Sequence, residues 1–549
     1  MSVLSTLFVQ AGSLGMGSPV WPQNYAPLGG SLAASTVAAA LPVFVLLYLL
    51  GVRRTRAWLA SVSALGAAAL AALVVYRMPP VQLLAATAYG AAFGIFPIGW
   101  IVFTALLLYR VTVESGKFEI LKDSIGGLTS DRRLQALLIA FAFGAFLEGA
   151  AGFGAPVAVA AAMLVGLGFS PFYAAAVCLL ANTAPVAFGS IGIPIVTLAG
   201  VTGLPLAKLS AAVGRICAPV SLIVPAYLIT VMGGMKALRG VLGAAVVCGA
   251  AFAGTQFAVS NFIGPQLTDI CSSLAAMGAL VAWLLVAGRR DHGRTERTRP
   301  RREVMMAWAP YGLLVVVVLL WGWEPVRLAL NRTNAVFAWP GLHNAVLRVP
   351  PVVSRATAYP ALYTFNWLAA SGTACLVAVL LSAALLRMPP RRLAGVAAAT
   401  ARQLALSFVT FAAVLGLAFL MNYSGATGTL GLAFARTGRL FPFFSAMLGW
   451  LGVFLTGSDT SSNALFGNLQ AITATRLGLS PVLMAAANSA GGVMGKMISL
   501  QSIAVACAAA GLGRDDEAGL FRFTLRHSLI LATVIGLITV IYAYVGGGV

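Results

Sequence analysis

Apolar segments of about 20 residues, each long enough to cross a bilayer as an α-helix, recur along the whole of this 549-residue sequence. Examples are residues 32–51, 58–76, 211–232, 305–323 and 368–386. About 12 to 14 such crossings fit within the chain, and together they fill nearly all of it. The pattern therefore predicts an all-α polytopic membrane protein with no room for a sizeable soluble domain.

The composition agrees with this class and excludes others. Hydrophobic residues make up 60% of the chain and charged residues 9%, whereas soluble domains carry about 25% charged residues. A net charge of +21 would suggest nucleic acid in a soluble protein, but here the basic residues lie in short loops between apolar spans and nucleic-acid binding is not expected.

The six cysteines are scattered without a CxxC pair, so no metal or cofactor is predicted. No cationic segment precedes the first apolar stretch, so no cleavable signal is expected.

The basic loops predict an orientation. Residues 289–303 hold seven arginines, which places this loop in the cytoplasm. Alternating crossings then put most other basic residues in the cytoplasm and both termini outside, as expected for a multi-pass protein of a bacterial plasma (inner) membrane. The loop 324–360 becomes an external connection between two halves of the chain.

An internal repeat relates these halves. Three short motifs recur about 300 residues apart in the same order: 144–149 and 452–457, 167–171 and 477–481, and 181–184 and 487–490. The predicted orientation makes the first copy enter from the cytoplasm and the second from outside, so the repeats are inverted. Inverted repeats with interrupted helices are typical of secondary transporters, which bind substrate where the repeats meet. The predicted regions are an external segment 1–30, scaffold helices 31–133, a first repeat core 134–260, connecting helices 261–402 and a second repeat core 403–549.

Each repeat core is predicted to begin with a re-entrant hairpin, at 135–169 and 441–479. The segment from Gln135 to Glu148 is about 14 residues, or roughly 21 Å of helix, which is less than a full crossing. The hairpin tips at 148–156 and 456–463 contain helix-breaking and polar residues. Free backbone groups at such depth are tolerated only inside protein or around a cavity.

An interrupted helix is predicted to follow each hairpin, at 171–203 and 481–510. The first helix is expected to break at Asn182 to Pro185, together with Gly189, Gly192 and Pro194. The second is expected to break at Asn488 to Gly492, together with Gly495 and Lys496. Half-helix N-termini at such breaks would direct partial positive charge at an anion.

These stretches resemble the L-lactate permease family over essentially the full chain. Two long regions, Phe143 to Ile195 and Leu451 to Ala506, are similar to the signature regions of the family. Shorter matches occur at 21–25, 260–265, 421–425 and 521–524. Leu500 departs from the family pattern, which has proline at this position. The resemblance implies proton-coupled transport of lactate and glycolate, and by analogy with related inverted-repeat carriers an elevator-type movement.

Two carboxyl side chains are the candidates for proton coupling. Glu148 and Asp459 lie at the two hairpin tips, where an ionisable residue costs about 2.5 to 3.5 kcal/mol to insert and usually has a function. Glu148 could instead be a structural carboxyl that binds neighbouring serine or backbone groups. The oxygen-rich surroundings of Asp459 could equally bind Na⁺.

A carboxylate substrate needs a cation and hydrogen-bond donors. Lys496 is the candidate charge partner, and the alternative is a permanent salt bridge with Glu148 or Asp459. Amide and hydroxyl groups suited to a carboxylate and a 2-hydroxyl come from Asn182, Thr183, Ser461, Asn463, Asn488 and Ser489. Hydrogen bonds between helices are the alternative role for these groups.

The sequence thus favours proton-coupled symport of a small 2-hydroxy-monocarboxylate, namely L-lactate, D-lactate or glycolate. A sodium-coupled carrier of dicarboxylates is the alternative. An intramembrane enzyme is less favoured because no known catalytic motif is present, and two interrupted repeats favour alternating access over a simple channel. The expected partners are the substrate and the lipid bilayer, and association of copies as a homo-oligomer is left open.

Overall fold

The computed structural model describes residues 20–152, 154–287 and 300–545, and nearly all of its elements are α-helices. Residues 1–19 of the N-terminal segment, Phe153 in the first hairpin tip and residues 289–299 of the basic loop lie outside the described residues. The helices of the first half are α1 (Leu32–Gly51), α2 (Ala57–Val74), α3 (Pro80–Phe93), α4 (Trp100–Glu114), α5 (Lys117–Gly126), α6 (Arg132–Gln135), α7 (Gly144–Ala150), α8 (Ala155–Gly166), α9 (Pro171–Ala181), α10 (Gly189–Thr202), α11 (Leu206–Arg239), α12 (Leu242–Phe262) and α13 (Thr268–Val286).

The second half follows with helices and short external strands. Its helices are α14 (Arg301–Gly322), α15 (Glu324–Asn331), α16 (Ser371–Leu385), α17 (Pro390–Ser424), α18 (Ala426–Phe434), α19 (Phe441–Thr456), α20 (Asp459–Leu477), α21 (Pro481–Lys496), α22 (Leu500–Ala510) and α23 (Arg514–Tyr544). The strands are β1 (Trp21–Pro22), β2 (Ala335–Ala338), β3 (Val346–Arg348), β4 (Thr357–Ala358) and β5 (Leu362–Phe365).

The number of apolar helices confirms the predicted class. Within the described residues, 12 helical segments are long and apolar enough to cross a membrane. A thirteenth is added if α9 and α10, which are bent by 64° at a break, count as one crossing. The protein is an all-α polytopic membrane protein.

Each predicted hairpin region forms two consecutive helices, and its re-entrant character stays a prediction. The first arm of the first hairpin is longer than the sequence predicts, because Arg132–Ala150 has 19 residues and is itself long and apolar enough to cross. In this hairpin, Ala136–Phe143 continues α6 into α7, which ends at Ala150, and α8 begins at Ala155. The two ends of this hairpin meet, because the Arg132 guanidinium donates to the Gly168 carbonyl at 3.0 Å. In the second, α19 and α20 are joined at residues 457–458, a tighter turn than predicted, and Asp459 begins α20.

The first interrupted helix breaks where the sequence predicts. Helix α9 ends at Ala181, a single short turn covers Val186–Phe188, and α10 follows from Gly189. Within α10, three consecutive residues, Ser190, Ile191 and Gly192, have positive φ angles. Because two of these have side chains, the left-handed turn is strained backbone of a kind found mostly at functional sites.

The predicted break in the second interrupted helix is wrong. Helix α21 runs unbroken from Pro481 to Lys496, and the interruption is at residues 497–499 instead. The expected break at Asn488 to Gly492 is regular helix. Its glycines serve close packing instead, since they allow α19 to approach α21. A Cβ at Gly491 would clash with the Ala446 carbonyl of α19, and one at Gly449 would clash with the Asn488 carbonyl of α21.

The two repeats pack against each other reciprocally. Helix α8 of the first hairpin contacts α22 of the second interrupted helix. Helix α20 of the second hairpin contacts α10 of the first interrupted helix, and the Asn463 amide donates to the Pro194 carbonyl at 3.1 Å. Each hairpin therefore lies beside the broken helix of the other repeat.

A scaffold of other helices packs beside this core. Helices α1, α2, α3, α17 and α18 share a second hydrophobic core that includes Leu46, Ala64, Leu83 and Leu417. Two small sheets lie at one end of this scaffold, where β1 pairs with β3 in parallel and β2 pairs with β5 antiparallel. The pairing joins the N-terminal segment to the long loop 324–360, two regions that the charge pattern places on the same side.

Candidate functional site

A cavity of about 180 Å³ lies between the scaffold and the two repeats. Its repeat side includes both hairpin tips and both interrupted helices, and its scaffold side comes from α1, α2 and α17. The polar and charged side chains that line it are Ser61, Glu148, Ser190, Ser407, Thr410, Thr456, Ser458, Asp459, Thr460, Ser461, Lys496, Gln501 and Ser502. Four of the predicted site residues, Glu148, Asp459, Ser461 and Lys496, thus share one cavity.

Glu148 occupies the last turn of α7 and is only 5% exposed. Its carboxyl packs on the backbone of the first interrupted helix, since a Cβ at Gly189 would lie 2.8 Å from Oε1. The Asn182 side chain lies next to the same carboxyl. Glu148 Oε2 and Asn182 Oδ1 are both buried without a hydrogen-bond partner among the described residues. Unpaired buried oxygens next to a cavity are suited to receive a proton or a ligand donor.

Asp459 begins α20 and is held by hydrogen bonds on one side only. Its Oδ2 accepts from the Ser489 hydroxyl at 2.6 Å and from the Asn463 amide at 3.3 Å. Its Oδ1 has no partner among the described residues. Glycine is required at position 492, because a Cβ there would lie 2.5 Å from Oδ1. The carboxyl is therefore fixed in orientation with one oxygen free.

Lys496 ends α21, and its ammonium donates to the Gly457 carbonyl in the second hairpin tip at 2.7 Å. It forms no ion pair with Glu148, Asp459 or any other carboxylate whose side chain the structure describes. A lysine in a mostly apolar cavity with a single carbonyl partner has two further donors for an anion. The permanent salt bridge considered from the sequence is absent from this conformation of the described residues.

The other predicted donors lie behind the cavity wall. The Asn488 amide donates to Asn463 Oδ1 at 2.9 Å, and Gln470 donates to Asn488 Oδ1 at 3.1 Å. Asn463, Asn488 and Ser489 are fully buried and connect α20 to α21. Thr183 lies in the break after α9 and donates to the Leu180 carbonyl in the last turn of that helix. In this conformation these groups hold the helices together and orient Asp459, so direct substrate contact by them stays a prediction.

Three residues of this region had no place in the sequence prediction. Ser190 lines the cavity from the left-handed turn of α10, and Gln501 lines it from α22. Asp269 lies in the first turn of α13, is 1% exposed, and packs on Gly149, the residue after Glu148. Of these three, only Asp269 could have been identified from the sequence, because it is an ionisable residue at the start of an apolar span.

Comparison with known proteins decides the family. The family model for L-lactate permease matches residues 35–546. The chain belongs to the L-lactate permease family. An L-lactate permease of Bacillus subtilis is 45% identical over 96% of this chain and 99% of its own length. An L-lactate permease of Escherichia coli K12 is 45% identical over 96% of this chain and 98% of its own length, and a glycolate permease of that strain is 44% identical over 96% and 99%.

Membership of the L-lactate permease family identifies a multi-pass membrane transporter. A solved structure, that of MtrF from Neisseria gonorrhoeae, aligns over 84% of this chain and 83% of its own with 14% identity and a TM-score of 0.44. That similarity is too low to support an argument. The site must therefore be interpreted from its own geometry.

Proposed function

We propose that this protein is a proton-coupled symporter of small 2-hydroxy-monocarboxylates, namely L-lactate, D-lactate and glycolate. The observation that carries the proposal is the meeting of Lys496, Glu148 and Asp459 on one cavity at the contact of the two repeats. A cation and two carboxyls in one site provide for an anionic substrate and for protons. The names of the relatives indicate two of these substrates, L-lactate and glycolate.

The cavity is suited to a substrate of this size and charge. Its volume of about 180 Å³ is large enough to hold several water molecules, and therefore a short organic acid. Lys496 is the one basic side chain among the described lining residues. One cation balances one carboxylate, which favours a monocarboxylate over a dicarboxylate. Hydroxyl groups such as those of Ser190 and Ser461 provide partners for the 2-hydroxyl.

The hydrogen bonds around Asp459 favour protons over sodium as the coupling ion. A sodium site needs several free oxygen ligands. At Asp459 the Ser489 hydroxyl and the Asn463 amide are donors to Oδ2, and Oδ1 alone is free. A single free carboxyl oxygen is sufficient to hold a proton.

The architecture supports alternating access through inverted repeats with re-entrant hairpins. The return arm of the first hairpin, α8, has 12 residues, or about 18 Å of helix, which is too short to cross. The reciprocal contacts of each hairpin with the other repeat are those expected of a two-fold relation. Because the cavity lies between repeats and scaffold, movement of the repeats past the scaffold would expose it to either side.

We place the protein in the bacterial plasma membrane with both termini outside. Pairwise contacts are consistent with the alternation of basic loops, since Arg392 pairs with Glu114 at 3.5 Å and Arg133 donates to the Ala237 carbonyl at 3.1 Å. All four residues belong to segments that the charge pattern assigns to the cytoplasm.

The decisive experiment is uptake of labelled L-lactate by purified protein in liposomes with an alkaline interior. We expect accumulation above the external concentration that a protonophore abolishes and that protein-free liposomes do not show. Unlabelled glycolate and D-lactate should compete. Accumulation that follows a sodium gradient and ignores the proton gradient would refute proton coupling while leaving the fold and family unaffected.

A further inference from the structure

Asp269 is a buried carboxyl with no visible structural role. It lies in the first turn of α13, within a segment apolar enough to cross the membrane, and is 1% exposed. Neither of its carboxyl oxygens has a hydrogen-bond partner among the described residues. An ionised carboxylate buried without a partner is strongly disfavoured, so in this conformation the group is expected to carry a proton.

Two ordinary explanations for an acidic residue at this position do not apply. An aspartate in the first turn of a helix commonly accepts hydrogen bonds from free backbone N–H groups, but Asp269 accepts none. A buried carboxylate is otherwise paired with a cation, and no described lysine or arginine forms an ion pair with it. A polar neighbour on α13 does have a hydrogen-bond partner, because the Ser273 hydroxyl donates to the Ile270 carbonyl at 2.9 Å.

The nearest functional group is Glu148. Helix α13 packs on α7, and a Cβ at Gly149, the residue after Glu148, would lie 2.8 Å from the Asp269 Cβ. The titratable groups that interact with Asp269 are Glu148 on α7 and the thiol of Cys217 on α11. On the opposite side, the charge of Lys496 acts on Glu148.

A second observation indicates that the region around Glu148 and Asp269 receives a proton. Asn182, 4% exposed and on a different element, lies beside Glu148 with its Oδ1 unpartnered. The unpaired atoms at Glu148, Asn182 and Asp269 are thus all oxygens that accept hydrogen bonds. Protons on the carboxyl groups would supply the hydrogen-bond donors that these oxygens lack.

We propose that Asp269 is a proton-transfer residue that exchanges a proton with Glu148 during the transport cycle. In a conformation other than this one, the Asp269 carboxylic acid gives its proton to the Glu148 carboxylate, which leaves an Asp269 carboxylate and a Glu148 carboxylic acid, and the reverse step restores the pair. Asp269 lies outside the cavity and Glu148 on its wall, so the proton moves between the protein interior and the substrate site. This inference rests on the proposed proton-coupled function.

The test separates net transport from exchange in proteoliposomes. Asp269→Asn replaces a protonated carboxyl by a neutral group of the same shape. Exchange of labelled for unlabelled L-lactate needs no proton release, so we expect it at the rate of the unmodified protein. Accumulation driven by a proton gradient needs release and should fall to the level of protein-free liposomes. Ser273→Ala, one turn further along the same helix, should retain both activities.

Each outcome decides between the alternatives. If Asp269→Asn accumulates lactate as the unmodified protein does, the proton-transfer role is refuted. If Asp269→Asn and the smaller Asp269→Ser both lose exchange as well, the role is also refuted, because Asp269 is then needed for folding or binding. If the unmodified protein exchanges lactate but does not accumulate it under a proton gradient, the proposed symport itself fails.

Discussion

Lys496 can be tested directly as the partner of the substrate carboxylate. We expect Lys496→Ala to reduce L-lactate uptake to background, because no other described cation lines the cavity. The variant should fold, since the ammonium makes one hydrogen bond, to the Gly457 carbonyl, and a hydrogen bond from a charged group contributes about 1.5 to 3 kcal/mol. Initial rates of uptake and thermal unfolding in detergent measure the two effects. Lys208→Ala, an exposed lysine at the start of α11, is the matched control.

Uptake by Lys496→Ala at the rate of the Lys208→Ala control would contradict an anion-binding role. A lower unfolding temperature together with lost uptake would instead indicate that the bond to the second hairpin tip is structural. Lys496→Arg then distinguishes charge from shape, because it keeps the charge and changes the geometry of the donors.

Glu148 can be tested as the carboxyl that carries the coupled proton at the cavity. We expect Glu148→Gln to lose uphill accumulation while part of the lactate exchange remains, because the amide cannot release a proton but preserves the packing on Gly189. Accumulation under a proton gradient and exchange at equal pH are the two measurements. Glu114→Gln, in an exposed pair with Arg392, should leave both unchanged. Unchanged accumulation by Glu148→Gln would assign coupling elsewhere, with Asp459 the next candidate.

At the scale of elements, glycines fix the contact of α19 with α21. A Cβ at Gly449 would clash with the Asn488 carbonyl. This carbonyl belongs to the backbone of a helix, which cannot move aside as a flexible side chain can. We expect Gly449→Ala to destabilise the protein by about 1 to 3 kcal/mol, the usual cost of overpacking. Thermal unfolding in detergent provides the measurement. Gly278→Ala, on α13 with nothing near the added methyl, should be neutral, and equal stability of the two variants would contradict this account.

The same contact explains what the sequence could not predict. Polar and glycine residues at 182–185 and at 488–492 look alike as breaks, yet the first is a break and the second is continuous helix. The difference depends on a tertiary partner, because α19 needs glycine at 491 for close approach. The helix is interrupted at residues 497–499, directly before Leu500. The family pattern has proline at position 500, and without that proline the sequence showed no helix-breaking residue there.

Across the whole molecule, the sequence singled out residues that are unusual in any context, and the fold brings them together while their roles stay predictions. Charged residues within apolar segments are costly wherever they lie, and Glu148, Asp459 and Lys496 do meet at one cavity. Amide and hydroxyl groups are common between membrane helices, and Asn463, Asn488 and Ser489 lie behind the wall. The left-handed turn at Ser190 and the proximity of Asp269 to Glu148 exist only in the folded chain.

The orientation of the whole molecule follows from its basic loops and can be measured with single cysteines. Thr333 lies in the long loop predicted to be external, and Arg391 begins a helix predicted to start in the cytoplasm; both are exposed. We expect a membrane-impermeant thiol reagent to label Thr333→Cys in intact cells and Arg391→Cys only after permeabilisation, because basic segments remain inside. The unmodified chain is the control, since its six cysteines are buried or half-buried. Labelling of both positions from outside would refute the alternation of crossings, and the reverse pattern would invert the whole molecule and with it the side from which each hairpin enters.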